Sequence, residues 1–364
     1  MTQARNRLIC LDSTPYYHCI VRCVRESFLC GHDRVSDRDF THRRQWLVTR
    51  LRFLAHVFSV DICAYAIMSN HYHVILRLDP DTAKTWSADD VVSRWKQLYK
   101  SHILVDQWFS EPSKCPPGVQ QKAQEIIEKW RARLCDLSWF MRCVNENIAR
   151  MANREDQCTG RFWAGRFKSQ ALLDDAAILS CMTYVDLNPI RAKLADDLES
   201  SDFTSIQQRL HEYNQDDNKT SESRKKLQQH INKQNKAKVK LKLDHLPIAP
   251  LMSLLGKSTD VNREKPVLPF TYQDYFELVD LTGRIMREDK RGFIKDKCPS
   301  ILSRLNIDPD RWIDHIQKLN FYYGQCIGSC ENIHAFTGKF ERHWGKGLGQ
   351  SAQFYKESTP PSAE

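Results

Sequence analysis

The sequence lacks the segments that would mark a membrane protein or an exported one. No apolar run approaches the roughly 18 residues from which a transmembrane helix is built. The N-terminal residues, MTQARNRLICLDSTPYYH, contain no apolar signal-peptide core. No internal repeat is present either. These absences predict a cytoplasmic protein with no membrane partner.

A disulfide framework is missing as well. The 13 cysteines are odd in number and scattered along the chain, which predicts reduced and mostly buried thiols. The tightest cluster is Cys326 and Cys330, followed by His334 and His343. These four side chains could bind zinc, although their spacings differ from the usual zinc-finger patterns. A zinc-stabilised nucleic-acid-binding module in the C-terminal half is therefore one alternative for the function.

Positive charge is concentrated in one stretch of the chain. The formal net charge is +9, and residues 219–242 contain nine Lys and Arg against a single acid, Glu222. This composition predicts a solvated basic linker over 213–245, with residues 214–245 outside any packed core. Such a segment attracts phosphates, and its contribution to affinity falls with salt.

Hydrophobic periodicity predicts an α+β domain over residues 1–212. Strands are expected at 14–24, 60–68 and 71–78, with a helix at 40–58 and a second helix that Ser87 and Asp90 open as a capping box. This β-α-β-β-α order is that of a ferredoxin-like α+β domain with an antiparallel sheet, from which only the last strand is missing.

The remaining elements complete this domain and add a second region. A helix over 139–153 precedes the missing strand at 160–173, and Asp174 and Asp175 then begin a helix that Pro189 ends. The linker is followed by a mainly helical C-terminal region over 246–350, in which Thr271 and Asp274 begin a helix. Residues 351–364 are predicted to be a disordered tail.

Two histidines alternate on a predicted strand. His71 and His73 are two residues apart, so their imidazoles lie on one face while Tyr72 points to the other. Imidazoles at this spacing can share a divalent metal ion and leave positions open for substrate oxygens. The alternative is that both are polar residues on the wet face of a sheet.

A tyrosine and an asparagine share a helix face in TYVDLNPIRA. Tyr184 and Asn188 are four residues apart. A phenol can attack phosphorus and form a covalent phosphotyrosyl link, and an amide oxygen is a neutral ligand that Mg²⁺ or Mn²⁺ accepts. The alternative for Tyr184 is a core position, and Asn188 stands next to Pro189 at the helix end.

Basic and aromatic residues alternate in GRFWAGRFKSQ. This interleaving suits single-stranded nucleic acid, whose phosphates are held by charge while its bases stack on rings. An amphipathic strand with a polar outer face is the alternative. The predicted DNA-binding residues in this segment are Arg161, Phe162, Trp163, Arg166, Phe167 and Lys168.

The three motifs together resemble those of the HUH-type single-tyrosine transposases. MSNHYHVILR, GRFWAGRFKS and YVDLNPIRAKL occur in the order of the REP-associated tyrosine transposase branch, whose members have similar "NHxH", "GRFKS" and "YIHLNPVRA" segments. The resemblance covers about residues 14–200. It departs at Tyr72, where the family has an aliphatic or bulky hydrophobic residue, and at the inserted segment around 106–138. It does not extend to the region after 212.

The resemblance implies a transposase that breaks and rejoins single-stranded DNA near palindromic hairpins. His71, His73 and Asn188 would bind Mg²⁺ or Mn²⁺, and Tyr184 would be the nucleophile that forms a 5′-phosphotyrosyl intermediate. Arg191, in the last motif, would contact DNA. One phosphodiester is exchanged for another, so no nucleotide cofactor is expected, and the protein would act as a monomer or homodimer.

Two further functions are compatible with the same motifs. One is an HUH replication initiator or relaxase-like nicking enzyme, although the sequence has no helicase-like P-loop. The other is a non-catalytic DNA-binding protein built on the same fold, which the presence of His71, His73 and Tyr184 disfavours.

Overall fold

A computed structural model describes residues 8–24, 30–33, 37–217, 247–256, 266–287, 299–342 and 344–356. The strands are β1 (Tyr16–Arg22), β2 (His32–Asp33), β3 (Arg38–Asp39), β4 (Val60–Ile67), β5 (His71–Leu78), β6 (Lys168–Leu172), β7 (Leu254–Leu255), β8 (Leu268–Thr271) and β9 (Cys326–Ile327). β2 pairs with β3 and β7 with β8, while the other five strands form the main sheet.

The described ranges contain helices before, between and after the strands of this sheet. In chain order they are α1 (His42–Val57), α2 (Pro80–Thr85), α3 (Ala88–Lys96), α4 (Ile103–Ser110), α5 (Pro117–Arg133), α6 (Leu137–Glu155), α7 (Asp175–Asp186), α8 (Asn188–Arg191), α9 (Ser205–Asp217), α10 (Tyr272–Arg287), α11 (Ser300–Arg304), α12 (Pro309–Tyr322), α13 (Cys330–Gly338) and α14 (Leu348–Phe354). A 3₁₀ turn spans Pro112–Lys114. None of the helices in these ranges combines the length and hydropathy that a bilayer span requires.

The main sheet has the strand order β4-β5-β1-β6-β9. The first four strands are antiparallel neighbours, and β9 is parallel to β6. The predicted α+β class and mostly antiparallel sheet are therefore confirmed. The C-terminal part of the chain is mainly helical, as predicted, but it also supplies β9 to the sheet.

Local sequence signals explain several helix ends. Ser87 and Asp90 form the predicted capping box, with each side chain accepting from the other residue's main-chain N–H. Asp174 caps α7 by accepting from the Ala177 N–H. Thr271 Oγ1 accepts from the Asp274 N–H at the start of α10, 3.1 Å away.

One predicted strand is much shorter than expected. Of residues 160–173, only Lys168–Leu172 form β6. The preceding residues bend, although the Ala164 N–H still donates to the Arg22 carbonyl over 2.8 Å. Gly160 has a φ of +113° and Gly165 lies within the bend, and glycine both permits such turns and weakens a strand. The alternation in this segment was thus a poor guide to its conformation.

Different helices cover the two faces of the main sheet. The antiparallel register places Arg22 opposite His71 and Ile20 opposite His73, so these side chains share one face. α7 packs across β4, β5 and β6. On the other face, the Tyr72 hydroxyl donates to Asn145 Oδ1 of α6 over 2.7 Å. The histidine face is therefore the one that α7 covers.

The predicted domain divisions at residues 212, 245 and 350 remain predictions, but the described segments pack across them. α9 continues to Asp217, and residues 218–245, which are most of the predicted linker, lie outside the described residues. The buried apolar side chains form one cluster that includes Phe270 and Trp312 as well as the sheet. α14 extends to Phe354, which is fully buried, so the tail predicted from 351 begins inside a packed helix.

Candidate functional site

The two motif histidines lie side by side on the α7-covered face of β5. Their ring centroids are 5.1 Å apart, with an angle of 76° between the planes. His71 is half-buried, and His73 is only 2% exposed. The rings of His18, His71 and Tyr184 lie around His73, with centroids 5.1 to 5.7 Å from its own. Alternation along the strand thus produces the pair that the sequence predicts.

Each histidine has its Nδ1 atom engaged by a neighbour. His71 Nδ1 lies 2.6 Å from Asn70 Oδ1. His73 Nδ1 lies 2.9 Å from His18 Nε2, and the His18 and His73 rings stack at 5.1 Å. His18 Nδ1 in turn lies 2.9 Å from Gln170 Oε1. This arrangement leaves Nε2 as the ligating atom of both His71 and His73, and a partner on the opposite nitrogen is typical of metal-binding histidines.

Burial keeps these imidazoles neutral. It lowers the pKa of His18 to about 4. Burial, with the nearby Arg22 guanidinium, lowers the pKa of His71 to about 4. The pKa of His73 is held well below its usual range by burial first and then by His18, His71 and Arg191. Neutral imidazole is the form that binds a metal ion, so the protonation states at neutral pH suit the predicted role.

Tyr184 lies directly over the buried histidines. Its ring is edge-on to His73, with centroids 5.7 Å apart, and 6.2 Å from His18. The Arg191 guanidinium lies 4.5 Å from the Tyr184 ring centroid. Asn320 Nδ2 donates to the Tyr184 hydroxyl oxygen over 2.6 Å. The fold therefore brings the predicted nucleophile and the two predicted metal-binding histidines together, although 111 to 113 residues separate them in the sequence.

The hydroxyls of four other tyrosines in this part of the chain have partners elsewhere. Tyr72 donates to α6, and the Tyr17 oxygen accepts from the Cys10 N–H over 2.8 Å. Tyr65 donates to Gln208 over 2.9 Å, and the Tyr99 oxygen lies 3.1 Å from Cys143 Sγ. Tyr184 is thus the tyrosine that shares ring contacts with both His18 and His73.

Asn188 begins α8, immediately after the helix that carries Tyr184. Its side-chain Nδ2 donates to the Tyr184 carbonyl over 3.0 Å and to the Val185 carbonyl over 3.4 Å. These bonds fix the amide at the end of α7 and leave Oδ1 as the atom that would meet a metal ion. The role of Asn188 as a third ligand stays a prediction.

The donor set suits a divalent ion that takes its other ligands from oxygen. Within the described ranges, no group of three or more His, Cys, Asp and Glu side chains is arranged to hold a metal. Two neutral imidazoles whose Nδ1 atoms are already engaged fit Mg²⁺ or Mn²⁺ only if amide, water or phosphate oxygens complete the coordination. A carboxylate-rich site is not part of this arrangement.

The basic and aromatic residues of GRFWAGRFKSQ separate into two groups. Arg161, Arg166 and Lys168 are exposed, as a nucleic-acid surface requires. The three rings between them are half-buried and pack against the core. Trp163 Nε1 donates to the Asn145 carbonyl over 2.8 Å, so this ring anchors the segment to α6. Stacking of bases on Phe162 or Phe167 remains a prediction.

The alternative zinc site is not assembled in the described residues. Cys326 is buried in β9, where burial raises the pKa of its thiol to about 12. The Cys330 thiol donates to the Leu348 carbonyl over 3.3 Å. His343 lies outside the described residues. Within the described ranges, no two cysteines form a disulfide.

Sequence reasoning missed four residues that line this site. His18 and Arg22 alternate on β1, and that signal was present in YYHCIVR. Gln170 lies in β6 opposite His18, which only the strand register shows. Asn320 lies on α12, 136 residues after Tyr184, and no local pattern connects the two.

No protein-family model matches the chain, and no curated protein matches it in sequence. Among solved structures, the chain is similar to a REP-associated tyrosine transposase bound to a REP hairpin. The two share 13% sequence identity with a TM-score of 0.34, over 57% of this chain and 84% of that one. The similarity is slight, and the site described above rests on the contacts of this chain alone.

Proposed function

We propose that the chain is a metal-dependent endonuclease and strand transferase, a transposase that cuts single-stranded DNA through Tyr184 on a ferredoxin-like core. The observation that carries the proposal is the position of the Tyr184 ring, 5.7 Å from the ring of His73. A phenol next to a pair of neutral imidazoles is the minimum that a metal-assisted tyrosine nuclease needs. The order of the three sequence motifs supports the same function.

In this proposal the Tyr184 oxygen attacks phosphorus while the bond from phosphorus to the 3′ oxygen breaks. The electron pair and a proton go to that oxygen, which gives a free 3′-hydroxyl and a 5′-phosphotyrosyl link. A 3′-hydroxyl attacking the link reverses the step and rejoins a strand, so no energy cofactor is consumed. Arg191, beside the Tyr184 ring, would stabilise the charge that develops on the phosphate.

His71, His73 and Asn188 would hold Mg²⁺ or Mn²⁺ beside this tyrosine. When bound, the ion would supply Lewis-acid polarisation of the scissile phosphate. The chain's own contribution is to keep both imidazoles neutral, with their Nδ1 atoms engaged by Asn70 and His18. These contacts limit rotation of the rings and direct the Nε2 atoms.

Exposed cations next to the site would guide the DNA strand. Arg22 lies at the end of β1, opposite His71, and Lys168 lies opposite Ile20 on the next strand. Both side chains are exposed, as are those of Arg161 and Arg166. We propose that this basic edge binds the phosphates of a single strand, and that hairpin-forming repeats present that strand, as the motif resemblance implies.

The test is Tyr184→Phe in the full chain, mixed with labelled single-stranded DNA that carries the palindromes flanking its own gene and with Mg²⁺ or Mn²⁺. We expect the unaltered chain to form a covalent adduct and the variant to form none, while both bind DNA with similar affinity. Tyr72→Phe is the matched control, because its hydroxyl faces α6, and it should form the adduct. An adduct in the Tyr184→Phe variant would show that another residue is the nucleophile.

A further inference from the structure

A short C-terminal segment, Gln317–Gly324, contacts the site at three points. The Gln317 carbonyl accepts from Arg191 Nη2 over 2.9 Å. Asn320 donates to the Tyr184 oxygen over 2.6 Å. The Gly324 carbonyl accepts from Gln170 Nε2 over 2.9 Å. The segment therefore contacts the predicted nucleophile, the arginine beside it, and the glutamine whose side chain contacts His18, the neighbour of His73.

We propose that the segment Gln317–Gly324 completes the catalytic site, with Asn320 positioning the Tyr184 oxygen and the Gly324 carbonyl setting the His73 tautomer through Gln170 and His18. This inference rests on the proposed function, and it assigns a role to a region that the sequence motifs do not reach. The role of Asn320 and the role of Gly324 are each inferred from which atom of a hydrogen bond donates and which accepts.

The first part concerns the oxygen of Tyr184. The phenolic oxygen accepts a hydrogen bond from the Asn320 amide, so this bond does not use the proton of the phenol. A donor at this oxygen stabilises the negative charge that develops there when the proton is lost. The same bond fixes the direction of a side chain that has to reach phosphorus. Asn320 is thus a positioning residue.

The second part concerns the proton on His73. Gln170 donates its Nε2 hydrogen to Gly324, so its Oε1 faces His18 and can only accept. His18 Nδ1 must therefore carry the proton. His18 is fully buried, and the contacts it makes include no anion, so its ring is neutral and its Nε2 is an acceptor.

The consequence for His73 follows directly. Its Nδ1 must donate to His18 Nε2, 2.9 Å away, and its own Nε2 is then left without a proton. This is the tautomer that can bind a metal ion through Nε2. A backbone carbonyl from the C-terminal segment would in this way determine which nitrogen of His73 is free.

Asn320→Asp in the full chain tests the first part, because a carboxylate has nearly the same shape but can only accept. We expect adduct formation to slow by roughly ten- to a hundredfold under single-turnover conditions, with DNA affinity unchanged. Arg311→Ala is the matched control, since Arg311 is an exposed residue of the same helix outside Gln317–Gly324, and its rate should equal that of the unaltered chain. Rates equal to or above that of the unaltered chain in Asn320→Asp would overturn the positioning role.

The second part is measured without metal or DNA, by ¹⁵N spectroscopy of histidine-labelled full-length chain. We expect His73 in the Nδ1-protonated tautomer, a mixture of tautomers in His18→Leu, and restoration in His18→Gln, whose amide oxygen can accept from His73. Mn²⁺ affinity should fall by about 10- to 100-fold in His18→Leu and recover in His18→Gln. An unchanged tautomer in a folded His18→Leu variant would refute this relay, the series of hydrogen bonds from Gly324 through Gln170 and His18 to His73.

The two tests separate this inference from the proposed function. If the unaltered chain forms no adduct, the proposed function fails, and the His73 tautomer still decides whether the relay exists. If the adduct forms and His73 is protonated on Nε2, the proposed function stands and the relay is wrong.

Discussion

A buried carboxylate two residues after Tyr184 gives a prediction with a magnitude. Asp186, at the end of α7, is fully buried and accepts hydrogen bonds from the Ser205 hydroxyl, the Ile206 N–H and the Tyr275 hydroxyl. These bonds tie α7 to α9 and α10. Burial raises the pKa of Asp186 from its ordinary 3.8 to about 6, partly offset by the bonds from Ser205 and Tyr275.

The sign of the effect on stability follows from this raised pKa. Between about pH 4 and pH 6 the folded chain keeps a proton on Asp186 that the unfolded chain has lost. Stability contributed by this group is therefore fully present below the unfolded pKa and is lost as the pH rises through the folded one. The rise in pKa corresponds to about 3 kcal/mol of unfolding free energy.

Asp186→Asn removes the ionisation and keeps the shape. Urea unfolding of both proteins at pH 4.5 and 7.5 gives the difference in unfolding free energy at each pH. As the pH rises from 4.5 to 7.5, we expect the unfolding free energy of the unaltered chain to fall by about 2 kcal/mol relative to that of the variant. Histidine titrations act in the opposite direction, but they occur in both proteins and cancel in the comparison. A difference that stays constant with pH would refute this account of Asp186.

Three further predictions concern the site and the basic linker. His71→Ala should reduce adduct formation by weakening metal binding, and a higher Mn²⁺ concentration should partly restore adduct formation. If no Mn²⁺ concentration restores it, His71 is not a metal ligand. Deleting residues 214–245 should weaken DNA binding and reduce its salt dependence while cleavage chemistry persists, whereas unchanged binding at low salt would contradict the role of the linker. Arg22→Ala should reduce the slope of log affinity against log salt concentration by about 1, the loss expected for one phosphate contact, as measured by fluorescence titration. An unchanged slope would show that Arg22 does not contact a phosphate.

Periodicity was a reliable guide where one pattern extended over a whole element. The helices at 42–57 and 137–155 and the strands at 60–67 and 71–78 all lie within a few residues of their predicted bounds. Each of these elements buries one face against a neighbour. Apolar residues therefore recur in its sequence with the period of the helix or the strand. The segment at 160–173 shows the limit, because glycines and the anchoring of Trp163 determined its path.

The sequence by itself determined the pairing of His71 with His73, because alternation along a strand is a local rule that needs no other part of the chain. It also singled out Tyr184 through the motif around it. Only the tertiary structure placed Tyr184 over those histidines and added His18, Gln170 and Asn320 to the site. Their partners lie 55 to 152 residues away, and hydrogen bonds over such separations depend on strand register and helix packing, which leave no periodic signal in the sequence.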